Sequence, residues 1–133
     1  MTAVPIVTAL YAAIIGLLAA LLTVNVIRNR VGLKIDDGDG SNATMRKCIR
    51  AHANLAQHAP LALLLIGFAE SIGTSKTVIH VLGATLVLAR LLSAWGLLRT
   101  EGPSPGRQSG AGLTVLVLVA ASVLILLREG GMM

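Results

Sequence analysis

The sequence predicts an all-α integral membrane protein, a four-helix bundle forming one domain over residues 1–133. Three observations carry this. The chain is 55% hydrophobic and 13% charged, about half the ~25% charged fraction of ordinary soluble domains. The stretch Val4 to Ile27 contains no charge, and about 20 apolar residues suffice for a helix to cross the ~30 Å hydrocarbon core. Three further segments follow with helical periodicity.

The first span, residues 4–27, is preceded only by Met1, Thr2 and Ala3. A cleavable signal needs basic residues before its apolar core, so this span is expected to stay in the mature protein. The second, residues 46–69, is polar in its first half and apolar in its second, APLALLLIGFA. The third covers residues 77–98 and contains Arg90; the fourth covers residues 111–127. Gly16, Gly67, Gly83 and Gly96 lie within the first three spans, where small residues permit close helix contact.

Basic residues are unevenly placed. Arg28, Arg30, Lys34, Arg46, Lys47 and Arg50 surround the first loop and Arg99 and Arg107 flank the third, whereas the other side has Lys76 and Arg128. The positive-inside rule then puts loops one and three in the cytoplasm and both termini outside. The aromatics are a single Phe68, Trp95 and Tyr11, too few for base-stacking surfaces, so no nucleic-acid partner is expected. The single cysteine, Cys48, permits no internal disulfide and no Cys-rich metal site.

Loop one reads KIDDGDGSNAT. Its alternating Asp37, Asp39 and Ser41 resemble the start of a calcium loop, but an EF-hand starting at Asp37 needs Gly at position 6 and Glu at position 12, where Asn42 and Cys48 stand. No metal site is expected. Gly38 and Gly40 fit tight turns, and Ser41, Asn42 or Thr44 fits as the cap of the second helix.

The polar half of the second helix is RKCIRAHANLAQHAP from Arg46. At about 100° per residue, Arg46, Arg50, Asn54, Gln57 and His58 fall within about one third of the helix circumference, and His52 points almost the other way. An arginine facing lipid at the centre of a span costs about 2.5–3.5 kcal/mol, so the stripe must face other helices or a wet cavity. Polarity alone fits either a ligand site or an interhelical hydrogen-bond network. Arg90 is a second guanidinium at membrane depth, and the acids lie in loops or at span ends. A buried cation without an internal carboxylate calls for an anionic ligand, backbone carbonyls or water. Converging arginines suit a ligand with several carboxylates.

RAHANLAQHAPLALLL resembles the signature of the MAPEG family, membrane-associated proteins of eicosanoid and glutathione metabolism. GDGSN before it resembles the first loop of bacterial members, ARLLSAWGL the family's Arg-containing third-helix segment, and GRQSGAGLT the start of its fourth helix. The resemblance implies a homotrimer in the bacterial inner membrane, with glutathione bound between protomers toward the cytoplasmic side. It assigns Arg50 and Asn54 to glutathione contact and His52 to a position reaching the same site. Gln57 stands where the family usually has Glu, and His58 where many members have Tyr. Ser93 and Leu97 stand where eicosanoid-type members place tyrosines. Arg107 matches the arginine that stabilises the glutathione thiolate, with Arg90 the alternative source of that charge and a further ligand-binding candidate.

The implied activity is a glutathione-dependent transferase or peroxidase acting on a lipophilic small molecule dissolved in the bilayer, with glutathione as cosubstrate. A guanidinium beside a thiol, whose ordinary pKa is about 8.5, favours the nucleophilic thiolate. The alternative reading is a non-enzymatic membrane binding or scaffold protein. A proton-coupled drug transporter would need an acid in the first span, and Val4 to Ile27 has none. Cys48 reads as a passive small residue and His80 as a helix-end residue.

Overall fold

A computed structural model describes residues 3–131, which form four helices: α1 (Ile6–Leu33), α2 (Ala43–Ser71), α3 (Lys76–Arg99) and α4 (Pro105–Glu129). The all-α expectation holds, with helices longer than the apolar runs. α1 continues six residues beyond Ile27, through Arg28 and Arg30, because charge ends an apolar run without ending a helix. It stops where Lys34 turns left-handed (φ 56°) and its N–H bonds back to the Arg30 carbonyl. α4 begins at Pro105, six residues before the expected span, with Ser104 accepting from the Arg107 N–H and Pro105 opening the first turn.

Of the three capping candidates in loop one, Asn42 is the one used: its side chain accepts from the Met45 N–H at 3.0 Å. Gly38 and Gly40 both have positive φ, 64° and 56°, as the tight turns require. Pro60 withdraws one donor from the α2 ladder without ending the helix.

α2 and α3 are the central pair, with α1 packed on both from one side and α4 on both from the other; among the described residues α1 and α4 do not touch. α1, α3 and α4 are each long and apolar enough to cross a membrane. α2 is 29 residues long but is not among them, because its polar half dilutes the apolar run. Leu10, Leu17, Leu21, Leu116 and Val119 point outward and exposed, the arrangement of helices solvated by lipid.

Missing side chains set two of the helix contacts. A Cβ on Gly83 would overlap the Tyr11 ring, so α1 docks on α3 there. A Cβ on Gly110 would strike Ser93 Oγ and lie 2.6 Å from the Ala89 carbonyl, so α4 approaches the α3 backbone at that point. At the far end from loops one and three, Glu70 of α2 is buried at 6% exposure. It accepts from Val7 N–H (2.8 Å), Thr8 N–H (2.7 Å) and the Thr8 hydroxyl (2.6 Å). The residue preceding α1 is Pro5, which has no capping side chain. A carboxylate from the neighbouring helix therefore satisfies the orphan donors of α1.

Candidate functional site

The site lies where the polar half of α2 meets α3, α4 and the loop between them. Because α2 and α4 start at the same end of the bundle, the Arg46, Arg50 and Asn54 part of the α2 stripe lies toward the loop before α4 and its first turns. Arg46 reaches furthest toward the loops, pairing with Glu101 (Nε–Oε1 2.5 Å) and Asp39 (Nη1–Oδ2 3.0 Å). One turn deeper, Arg50 is exposed and donates to the Glu101 carbonyl at 3.4 Å. Arg107, from the first turn of α4, donates to the same carbonyl at 3.2 Å and to the Gly102 carbonyl at 3.1 Å. Two guanidinium groups thus converge on one backbone oxygen. The Arg46 hydrogen bond holds the Glu101 carboxyl below its ordinary range, helped by the charges of Arg46, Lys47 and Arg50.

Behind that loop is a pocket of about 450 Å³ lined by Asn54, Ser93, Leu97, Pro103, Arg107, Gln108 and Ala111. Its polar groups are two amides, a hydroxyl and a guanidinium, and its apolar wall is Leu97, Pro103 and Ala111. Such a mixture suits a ligand that is part ionic and part apolar.

Arg90 is 2% exposed and stands behind this wall. It donates through Nη1 to Asn54 Oδ1 at 2.7 Å and through Nη2 to Thr114 Oγ1 (2.6 Å), Ser93 Oγ (3.1 Å) and the Gly110 carbonyl (3.4 Å). Neutral oxygens satisfy both Nη groups of this buried cation without an acid, while its buried Nε has no hydrogen-bond partner among the described residues. Arg90 contacts the pocket through Asn54 and Ser93 and is not among its lining residues.

The other predicted site residues are dispersed. Gln57 is exposed, and its side chain makes no hydrogen bond among the described residues. His58 is also exposed, and its Nδ1 is 2.8 Å from the Asn54 carbonyl of its own helix. His52 faces a separate cavity of about 180 Å³ against Ala12, Ile15 and Gly16 of α1. Within this chain, then, Asn54 and Arg107 share the pocket, Arg50 stands at its rim, and His52 is apart. Gln108, next to the Arg107 singled out from the sequence, was missed, as was Thr114. The available signal for Thr114 was its place as a hydroxyl within an apolar α4 run, four residues after Gly110. Cys48 is buried and accepts from Asn25 Nδ2 at 3.2 Å, a packing role. His80 forms a 2.7 Å hydrogen bond with Tyr11 at the other end of the bundle.

The sequence model of the MAPEG family matches residues 8–127, from the first turn of α1 to the last of α4. The chain belongs to the MAPEG family. It is 32% identical over 90 residues to the inner membrane protein YecN of Escherichia coli strain K12, an alignment covering 68% of this chain and 69% of the relative. The corresponding YecN of Escherichia coli strain CFT073 matches to the same extent. With three membrane-crossing helices and an inner-membrane relative, this MAPEG protein is an integral, multi-pass protein of the inner membrane. The family includes glutathione-related members, whereas YecN is named for its location alone.

Proposed function

We propose that this MAPEG protein is a glutathione-dependent membrane transferase or peroxidase that works as a homotrimer, with loops one and three in the cytoplasm. The observation that carries the reading is the pocket in which Arg107, Gln108 and Asn54 face an apolar wall, with Arg50 at its rim. Guanidinium and amide donors at that spot suit the carboxylates of glutathione. Arg107 lies on the pocket wall, where its charge would favour the thiolate. In transfer, the thiolate sulfur forms the new bond to an electrophilic carbon, and the leaving group departs with the displaced electron pair. Proximity to an electrophile already concentrated in the bilayer supplies further rate. The trimer would cover Gln57 and His58, polar groups exposed on a single protomer.

Leu97 and Ser93 in the pocket, where eicosanoid-type relatives place tyrosines, favour the second reading of a non-enzymatic membrane binding or scaffold protein. One experiment on the detergent-solubilised protein separates the two. Both readings expect a trimeric mass, and the transferase reading expects in addition a rise in unfolding temperature with glutathione. The transferase reading alone adds ultraviolet absorbance of a bound thiolate at neutral pH and consumption of a lipophilic electrophile. A protein whose unfolding temperature is indifferent to saturating glutathione ends the transferase reading and leaves the scaffold reading.

A further inference from the structure

A guanidinium carries donors only, so every group that Arg90 touches must accept. Asn54 turns its carbonyl oxygen to Arg90 Nη1 at 2.7 Å, which leaves its amide nitrogen for the other side, and Nδ2 donates to nothing among the described residues. Ser93 accepts from Nη2 at 3.1 Å, and its hydroxyl proton likewise has no acceptor among the described residues. Thr114 differs: it accepts from Nη2 but donates to the Gly110 carbonyl at 2.8 Å, so its proton is used. Asn54 and Ser93 line the 450 Å³ pocket and Thr114 does not.

The charge behind these groups is also uncompensated. The ion pairs among the described residues both belong to Arg46, and no carboxylate bonds to Arg90. Two donors polarised by a buried cation, beside a third donor set on Arg107, make a wall that attracts acceptors and repels other donors. We propose that Arg90 is a positioning residue that locks Asn54 and Ser93 as donors into the pocket. The pocket thereby selects an anionic group of its ligand, a thiolate or a carboxylate. Ser93 becomes a specificity-determining residue. The inference rests on the glutathione reading and names the polarity that reading requires.

The test uses the full chain in detergent, with calorimetric titration of glutathione and of S-methylglutathione, which lacks the ionisable thiol. Asn54→Asp keeps an oxygen on Arg90 but turns an acceptor to the pocket. It is expected to unfold no earlier than wild type without ligand and to bind glutathione about tenfold more weakly or worse. Ser93→Ala, which leaves the fold less exposed to charge changes, is expected to weaken binding several-fold. If the selected anion is the thiolate, both variants spare S-methylglutathione and raise the apparent pKa of the bound glutathione thiol, followed by its ultraviolet absorbance against pH. If it is a carboxylate, both ligands weaken in parallel and the thiol titration does not move. Wild-type affinity for glutathione in both variants overturns the positioning role and leaves the transferase reading standing. A wild-type protein that binds neither compound overturns both.

Discussion

Arg46 and Glu101 lie 55 positions apart in the chain and meet at 2.5 Å, joining the first turn of α2 to the loop between α3 and α4. The same Arg46 holds Asp39 of the first loop at 3.0 Å, so one side chain ties together both loops at that end of the bundle. All three side chains are more than a third exposed, and exposed pairs contribute little to stability. Their effect is on geometry: they fix the loop whose Glu101 carbonyl gathers Arg50 and Arg107.

This clasp should loosen in acid. The Glu101 carboxyl is held below its ordinary value of 4.5 by the Arg46 hydrogen bond. The Asp39 carboxyl is held below 3.8, first by the Ser41 N–H and then by Arg46. A carboxylate whose folded pKa is depressed contributes stability above its unfolded value and loses it as pH falls through the folded value. The contribution is therefore complete at neutral pH and decays below the 4.5 and 3.8 of the free groups. Thermal unfolding of wild type and Glu101→Gln should differ slightly at neutral pH and converge in acid. A difference that stays constant through that range would show that the carboxylate charge plays no part.

Gly110→Ala tests how closely α3 and α4 must pack. The added Cβ meets Ser93 Oγ and the Ala89 carbonyl, which is backbone and cannot rotate away. The expected loss is about 1–3 kcal/mol. The pocket's hydroxyl would be displaced as well, so ligand-induced stabilisation should fall with it. Gly112→Ala is the control, since nothing lies within 4 Å of its Cβ position.

Among the described residues Arg50 has one hydrogen bond, the 3.4 Å contact to the Glu101 carbonyl, and it is exposed. Arg50→Ala should therefore change ligand-free stability by no more than about 0.5 kcal/mol, the usual range for surface changes. On the proposed glutathione reading, stabilisation by glutathione should vanish. A large loss of stability without ligand would instead make Arg50 a structural strut.

Gln57 is exposed on the same helix and its side chain is free of hydrogen bonds among the described residues. If glutathione binds as proposed, with its ammonium at position 57, Gln57→Glu adds a charge-assisted bond worth about 1.5–3 kcal/mol where water is scarce. Titration calorimetry should show tighter binding. Unchanged affinity would mean that position 57 does not reach the ligand.

The sequence by itself determined the number and order of the helices, their apolar faces and the polar stripe on α2. It also showed that Arg90 would lack an internal acid. These are local properties: hydropathy, a 3.6-residue period and turn-forming Asn and Gly residues are written along the chain and survive any rotation of the helices. Helix ends were less legible where charge interrupts hydropathy, as at Arg28 to Leu33.

What only the tertiary structure decided is which groups meet. Arg90 finds Asn54 and Thr114, 36 and 24 positions away, because the bare surface of Gly110 lets α4 close on α3. Glu70, read as a span-end acid, becomes the missing cap of α1, 62 and 63 positions away. His52, two residues from Asn54, is turned to α1 and away from the pocket. Partner choice of this kind depends on the rotation and depth of each helix against its neighbours, set by packing summed over whole interfaces, and no local stretch of sequence encodes it.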